Sequence, residues 1–400
     1  MKKIKIIAVL IAVAMLILSF TSCNFVTTGN GTESQNYQTV ENSDDFYKKV
    51  EVSDKITLKI TEVSTESEER TLADVLDDIR PAVVEIYGAT SNGSSAGSGV
   101  IIDIADSDNS GKNDVAYIIT CHHVIEDTTN TIIKTVDGKS FGATLIGSDP
   151  KSDIGLIVAD GEDGDFDDYK VASWLSDSDK LRYGTEVVAI GNPLGILGGT
   201  VTKGIISGIG REVKVEGKTM TLLQTDAAIN GGNSGGGLFD AETGALVGIV
   251  NAGYAAYAAD GLNFAIPSNV AKEKASMLFS TYSASGSFGY IEGQYDFGVE
   301  FTLASSGSPW SGYTYYVYVA SLDSYGAFYK NGVSVGDVIT DIKIGDKSIS
   351  LTNVSNATLS ELTEFLSGSY NIGDEVTVTY QRRGNKKTIT FALPQYVYGN

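Results

Sequence analysis

The chain has two histidines, adjacent at His122 and His123, and both precede a glycine-rich run, Gly232-Asn233-Ser234-Gly235-Gly236. Between them lies Asp149-Pro150-Lys151-Ser152-Asp153-Ile154-Gly155-Leu156, a polar turn that delivers an aspartate into an apolar run. A serine hydroxyl is a weak nucleophile near neutral pH. It needs a base to take its proton, and the base needs an acid to hold its tautomer. The chain order His, Asp, Ser is one of three unrelated orders that reach this geometry. The chemistry is therefore assigned to Ser234 as nucleophile, His123 as base and Asp153 as the acid. Free of side chains, the flanking glycines let the turn aim the N–H groups of Gly232 and Ser234 at one point, where an oxyanion would form.

Other chemistries fit these residue types less well. Cys121 stands before the histidine pair at what should be a buried strand end, so a small core residue is expected there, not a thiol nucleophile. Two adjacent histidines do not supply the separated ligands of a zinc hydrolase. The run Asp106-Ser107-Asp108-Asn109-Ser110-Gly111 begins like a calcium loop, but Tyr117 stands where the closing glutamate belongs, and a hairpin loop is expected. Residues 160–168 read as a solvated turn. No cofactor and no metal is called for.

Short apolar runs separated by Gly, Asn and Asp must position these groups. Strands are expected near residues 83–87, 100–103, 115–120, 131–136, 154–158, 186–190, 219–223 and 245–250. Even spacing with little helix between strands argues for antiparallel barrels and against βαβ units. A lead-in helix starts after Thr71, with Leu72, Val75, Leu76 and Ile79 on one face and Pro81 ending it. A helix over residues 269–279, capped by Ser268, closes the unit, and the small polar residues 280–287 read as a linker. Beyond it, strands near 297–303, 315–319, 338–344, 375–380 and 387–393, with one amphipathic helix over 358–366, make a separate α+β module.

The N-terminus reads as a targeting segment. Lys2, Lys3 and Lys5 precede an apolar run over residues 6–18, too short for a comfortable membrane span, then Ser19-Phe20-Thr21-Ser22-Cys23. The pattern resembles a bacterial lipoprotein signal, with Cys23 as the lipidated residue and Phe20 departing from the usual leucine. Residues 24–70, rich in Thr, Ser, Asn and Glu, read as a tether. The formal net charge is −21, and loss of residues 1–22 would remove three lysines and no acid. So acidic a surface has no basic footprint for nucleic acid. With Cys23 committed to lipid, Cys121 has no partner in the chain, and no intramolecular disulfide is expected.

The run Thr225-Asp226-Ala227-Ala228-Ile229-Asn230, with the glycine-rich turn after it, resembles the signature of the HtrA/Deg family of trypsin-like serine proteases. Ala189-Ile190-Gly191-Asn192-Pro193-Leu194-Gly195, residues 201–207 and Asn263-Phe264-Ala265-Ile266-Pro267 are similar to that family too. The resemblance implies a mostly β chain: a trypsin-like double β-barrel followed by an α+β PDZ domain. It divides the chain into a signal peptide (1–22), a tether (23–70), a protease domain (71–280) and a PDZ domain (288–395). It selects His123 over His122 through Thr120-x-x-His-Val, leaving His122 as a packing or surface residue. It also implies an active site between the barrels, with the strand around residues 262–265 pairing with substrate backbone.

Substrate-binding residues implied by the family are Ala228, Ile229, Leu262, Asn263 and Phe264. Ala228, six residues before Ser234, stands where trypsin-type enzymes hold an acid, so small or medium apolar side chains should be preferred. Asn233 replaces the aspartate that pairs with a newly cut N-terminus, so activation should not need pro-peptide cleavage. Gly231 and Gly237 stand where the family often has proline, which implies a mobile nucleophile loop and an oxyanion hole that is misformed at rest. In the last module, Phe297-Gly298-Val299 resembles the PDZ loop whose amides capture a peptide carboxylate, and Gly332-Val333-Ser334-Val335-Gly336-Asp337-Val338-Ile339 fits the following turn and strand. Peptides would add a strand there and press against Leu359 and Leu362. Residues 302–312, containing Trp310, look longer than the usual connection. The implied protein is an exported, membrane-tethered endopeptidase of unfolded or damaged proteins that binds peptide C-termini. The family also forms homotrimers, although no assembly motif precedes Thr71.

Overall fold

The computed structural model describes residues 58–63, 70–91, 93–192, 198–215, 218–252, 261–285, 288–308, 310, 312–352, 354 and 358–398. The expected signal segment and Cys23 lie outside the described residues, as do residues 24–57 of the expected tether. Residues 58–63 were expected in that tether too, but they pack on the protein. There Glu62–Val63 (β1) pairs in parallel with Trp174–Leu175 (β8), and the Lys59 amide donates to Asp103 Oδ2 at 2.7 Å.

Order in the protease unit begins with helix α1 (Leu72–Ile79). Thr71 caps it through a reciprocal box with Asp74, and Val75 and Ile79 are its buried face. Pro81 then turns the chain through a short 3-10 segment into the first barrel. That barrel closes six strands: β2 (Val83–Thr90), β3 (Gly93–Ala105), β4 (Val115–Cys121), β7 (Ile154–Asp160), β6 (Ser140–Asp149) and β5 (Thr128–Lys134). Strand β4 is buried along its whole length and pairs antiparallel with β7, in a register that sets Cys121 opposite Ile154. This register brings the end of β4, where the histidines follow, beside the turn that carries Asp153.

The second barrel uses β9 (Glu186–Gly191), β10 (Thr200–Val215), β11 (Lys218–Thr225), β12 (Gly237–Asp240), β13 (Leu246–Asn251) and β14 (Asn263–Pro267). It closes through the β13–β14 pairing, and β8 and β1 extend the sheet beyond β13. Val187, Ile206, Leu223, Leu238, Val247 and Ala265 fill its interior. Each fully buried Val, Leu or Ile contributes roughly 1.5–3 kcal/mol relative to exposure. The expected strands over 83–87, 100–103, 115–120, 131–136, 154–158, 186–190, 219–223 and 245–250 are all present. Strands β6, β10 and β12 were not anticipated as strands.

Helix α3 (Ser268–Ser285) returns from the second barrel to the first, where Phe279 meets Tyr117 edge-on at 5.1 Å. It runs through 280–285, so that segment is helix and not linker. Buried Leu278 and Phe279, with Tyr282 one turn on, give those polar-looking residues a reason to stay helical.

The last module is a sheet in the order β15 (Val299–Ser308), β16 (Gly312–Leu322), β17 (Val338–Ile344), β19 (Glu375–Arg382), β20 (Asn385–Ala392), with β18 (Lys347–Ser350) also on β17. Helices α4 (Ala327–Lys330) and α5 (Thr358–Leu366) accompany it around a core of Phe297, Phe328, Ile342, Leu362 and Val378. The expected long connection over 302–312 is paired strand instead: β15 and β16 continue in register to Ser308 opposite Gly312. Trp310 lies between them, 98% exposed. The module touches the first barrel at the turn after β6, where Gln294 Nε2 donates to Asp149 Oδ1 and Lys151 Nζ to the Tyr295 carbonyl.

Candidate active site

His122 and His123 do not lie in an extended segment. They open a single helical turn, α2 (His122–Ile125), so successive side chains diverge around a helix and do not alternate across a strand. His123 Nδ1 lies 2.8 Å from Asp153 Oδ2, and the His123 amide donates to Asp153 Oδ1 at 3.0 Å. The His122 amide donates to the Asp153 carbonyl at 3.1 Å. His122 is buried elsewhere, with Nδ1 2.7 Å from Ser148 Oγ and its ring edge-on to Tyr398.

Asp153 sits at φ 54°, in the left-handed region where Asp and Asn are among the few tolerated side-chain residues. That turn aims both carboxylate oxygens back at α2. Burial pushes the Asp153 carboxyl up, but the charge and the ring and backbone N–H bonds of His123 outweigh it, holding the group below the ordinary carboxylate value. Asn251 also donates to Asp153 Oδ2, at 2.8 Å. Its neighbour Ala252 donates its amide to Ser234 Oγ at 3.3 Å, so two consecutive residues at the end of β13 touch both groups.

Ser234 is 5% exposed, in a turn defined by two glycines with positive φ, Gly232 at 93° and Gly235 at 81°. The Asn233 amide donates to the Asn230 carbonyl at 3.0 Å, closing the turn before the serine. The amides of Gly232 and Ser234 donate to no other described residue, which leaves two N–H groups available on either side of Asn233. Asn233 is itself buried, and its Oδ1 has no hydrogen-bond partner. A neutral amide avoids placing an unpaired charge there.

Ser98, which the sequence reading did not single out, holds this turn. Its amide donates to the Ser234 carbonyl at 2.8 Å, and its hydroxyl donates to the Gly232 carbonyl at 2.8 Å. The same hydroxyl accepts from the Asn192 amide at 2.8 Å, and the Ser98 carbonyl accepts from the Thr120 hydroxyl at 2.7 Å. All four bonds belong to one fully buried residue between the barrels, two through its backbone and two through its hydroxyl. A polar residue between Gly97 and Gly99, at the start of an apolar run, was the available signal. For Asn251 it was an amide ending the buried run of β13.

The expected substrate residues differ in exposure. Ala228 and Leu262 are exposed, Asn263 is half-buried, and Ile229 and Phe264 are core. Thr202 Oγ1 donates to the Ala228 carbonyl at 2.8 Å, and Asn263 Nδ2 to the Ala227 carbonyl at 2.9 Å, so side chains brace this run from outside. In the strand expected to pair with substrate, around 262–265, Phe264 and Ala265 already pair with β11 on one side and β13 on the other, while Asn263 pairs with β11 alone.

In the last module, Phe297 and Leu362 are buried in the core, Val299 and Leu359 are half-buried, and Gly298 has φ 60° with no room for a Cβ against Gly326. The expected free amide at Gly298 is occupied: it donates to Asp296 Oδ1 at 2.7 Å.

Among the described residues, two clusters have donor atoms close enough to hold a cation, Cys121–His123–Asp153 and Asp108–Asp114–Asp163. In the first, Cys121 Sγ donates to the Val250 carbonyl at 3.4 Å and the other two bind each other. In the second, both Asp114 oxygens accept from Ser107, within the hairpin loop the sequence predicts.

A two-barrel unit with these groups at its junction, joined to a sheet-and-helix peptide module, defines a trypsin-like serine peptidase carrying a PDZ domain. Residues 76–249 match the trypsin-like peptidase domain model and residues 296–393 the PDZ domain model. The chain is 32% identical to serine protease Do-like HtrB of Bacillus subtilis over 367 residues, covering 86% of this chain and 74% of that one. It is 34% identical to periplasmic serine endoprotease DegP of Escherichia coli over 301 residues, 75% of this chain and 57% of that one. Among solved structures, the serine endoprotease from Yersinia pestis aligns with TM-score 0.45 at 27% identity, over 82% of this chain and 99% of that one. The chain belongs to the HtrA/Deg family and is a serine endopeptidase.

Proposed function

We propose that this protein is an exported, membrane-tethered endopeptidase that cleaves unfolded or damaged proteins, with Ser234, His123 and Asp153 as its catalytic triad. The observation that carries the reading is the 2.8 Å bond between His123 Nδ1 and Asp153 Oδ2, made where β13 also contacts Ser234. A bond at Nδ1 leaves the other ring nitrogen to take the serine proton. Ser234 Oγ attacks the scissile carbonyl, its proton passes to His123, and the amides of Gly232 and Ser234 receive the developing oxyanion. Collapse breaks the C–N bond as His123 returns the proton to the leaving amine. Water, activated by the same base, then releases the acyl group.

The PDZ module supports a second task for the same protein, holding an extended segment of substrate beside β15 by strand addition. Export is supported by the basic and apolar start of the chain and by its similarity to the periplasmic serine endoprotease DegP of Escherichia coli. The tether is assigned to Cys23, which follows the small residues of Ser19-Phe20-Thr21-Ser22. Metabolic labelling with a fatty-acid analogue should mark the wild-type chain and spare Cys23→Ala.

Reaction with a fluorophosphonate tests the chemistry. Labelling that requires both Ser234 and His123 is the expected result. A folded wild-type chain that stays unlabelled would point to a binding protein with an idle protease unit.

A further inference from the structure

A loop that captures a peptide carboxylate works by presenting unpaired backbone N–H groups to an anion. In this chain an anion of its own is already there. Asp296 precedes Phe297-Gly298-Val299 and accepts the Gly298 N–H at 2.7 Å, while its carbonyl accepts from the Ala327 amide at 3.0 Å, which fixes the residue at both ends. Asp323 closes the loop from the opposite side. Its amide donates to the Gly298 carbonyl at 2.9 Å, its Oδ1 accepts from the Tyr325 amide at 2.8 Å, and its Oδ2 accepts from the Tyr396 hydroxyl. Gly298 packs against Gly326, whose Cα would lie 2.5 Å from a Cβ at position 298. One cation approaches from the protease unit, and Lys151 Nζ is engaged by the Tyr295 carbonyl at 2.9 Å and lies over the Tyr295 ring.

The rest of the groove stays open to a strand. β15 is the edge of its sheet, paired on β16 alone among the described strands, and α5 flanks it with Leu359 half-buried. An internal stretch of polypeptide makes the same main-chain bonds as a C-terminal one and brings no charge to the loop. A terminal carboxylate would have to displace Asp296 and sit beside two like charges.

We infer that the groove between β15 and α5 takes internal, extended segments of unfolded protein and discriminates against free C-terminal carboxylates, with Asp296 as the specificity residue. This rests on the peptide-groove reading of the PDZ module given above. It makes the protein a reader of exposed interior sequence and not of newly cut ends.

The test is fluorescence anisotropy with one apolar-ended peptide made as the free acid and as the C-terminal amide, on the full chain carrying Ser234→Ala so that nothing is cut. The expected result is that the amide binds at least as tightly as the acid. Asp296→Ala, which removes both the charge and the bond to Gly298, should reverse the order and favour the acid by about tenfold or more. Asp296→Asn, which can keep the bond without the charge, guards against misfolding and should weaken the preference for the amide. A wild-type preference for the acid of about tenfold would overturn the inference while leaving the groove reading intact. Equal preferences in wild type and both variants would also overturn it. Failure of both peptides to bind any of the three proteins would remove the groove reading, and this one with it.

Discussion

Ser98 and Gly232 are 134 residues apart in the chain and are joined by a 2.8 Å bond from the serine hydroxyl to the glycine carbonyl. Since a peptide unit is planar, fixing that carbonyl also fixes the orientation of the next amide and the pitch of the turn around Ser234. Ser98→Ala should therefore lower kcat by about ten- to a hundredfold with little change in KM, less than the loss of an oxyanion donor itself. The Asn192 amide and Gly232 carbonyl would lose a partner in a buried place, costing about 1–3 kcal/mol of stability. Single-turnover acylation and urea unfolding separate the two effects. A rate unchanged in a destabilised protein would reduce Ser98 to a packing role.

The two histidines should separate cleanly. His123→Ala should reduce turnover by several orders of magnitude in a folded protein, as loss of a triad member does. His122→Ala should cost about tenfold or less in turnover, because its ring meets Ser148 and Tyr398 and not the nucleophile. Its loss should appear mainly as instability. Steady-state kinetics beside thermal unfolding checks both.

Asp153→Asn should keep the backbone, since Asn tolerates the left-handed region, yet lower turnover by about 10⁴-fold through the wrong histidine tautomer. The wild-type carboxyl is held below its ordinary value, so it adds stability above the unfolded-state pKa of about 3.9 and loses it as pH falls through the folded value. The stability difference between wild type and Asp153→Asn should be constant near neutrality and shrink in acid. A difference that grew on acidification would contradict the assignment.

Tyr398 ties the end of the chain to the catalytic turn: its hydroxyl accepts from the Asp127 amide at 2.8 Å, and its ring lies edge-on to His122. Tyr398→Phe keeps the ring and removes the acceptor, and should cost about 0.5–1.5 kcal/mol. Tyr398→Ala should cost more and spread the calorimetric unfolding into separate protease and PDZ transitions. A single unchanged transition in Tyr398→Ala would show that the module is held by other contacts.

The chemistry of the site was legible because it is local in sequence. A histidine at a strand end, an aspartate at the start of an apolar run and a serine among glycines each carry their own short signal. The N-cap at Thr71 and the bounds of α5 were legible for the same reason, since helix signals act within a few residues. The strands that escaped notice, β6, β10 and β12, are each paired on both sides, and mixed or glycine-containing sequence pairs as well as a clean alternation once both edges are supplied.

What the sequence by itself determined was the inventory: two barrels and a peptide module, and the residues proposed as nucleophile, base, acid and oxyanion turn. Tertiary structure alone decided which backbone groups are free and which are taken. The closed second barrel uses both edges of β14, so substrate cannot pair with Phe264 and Ala265. Ser98 acquires its role only when the barrels bring it onto the nucleophile turn. Asp296 and Gly298 are neighbours in any reading of the sequence, but only the folded loop shows the carboxylate turned onto the amide. Hydrogen bonds saturate, and where each one is spent is a property of three-dimensional proximity, which residue order does not specify.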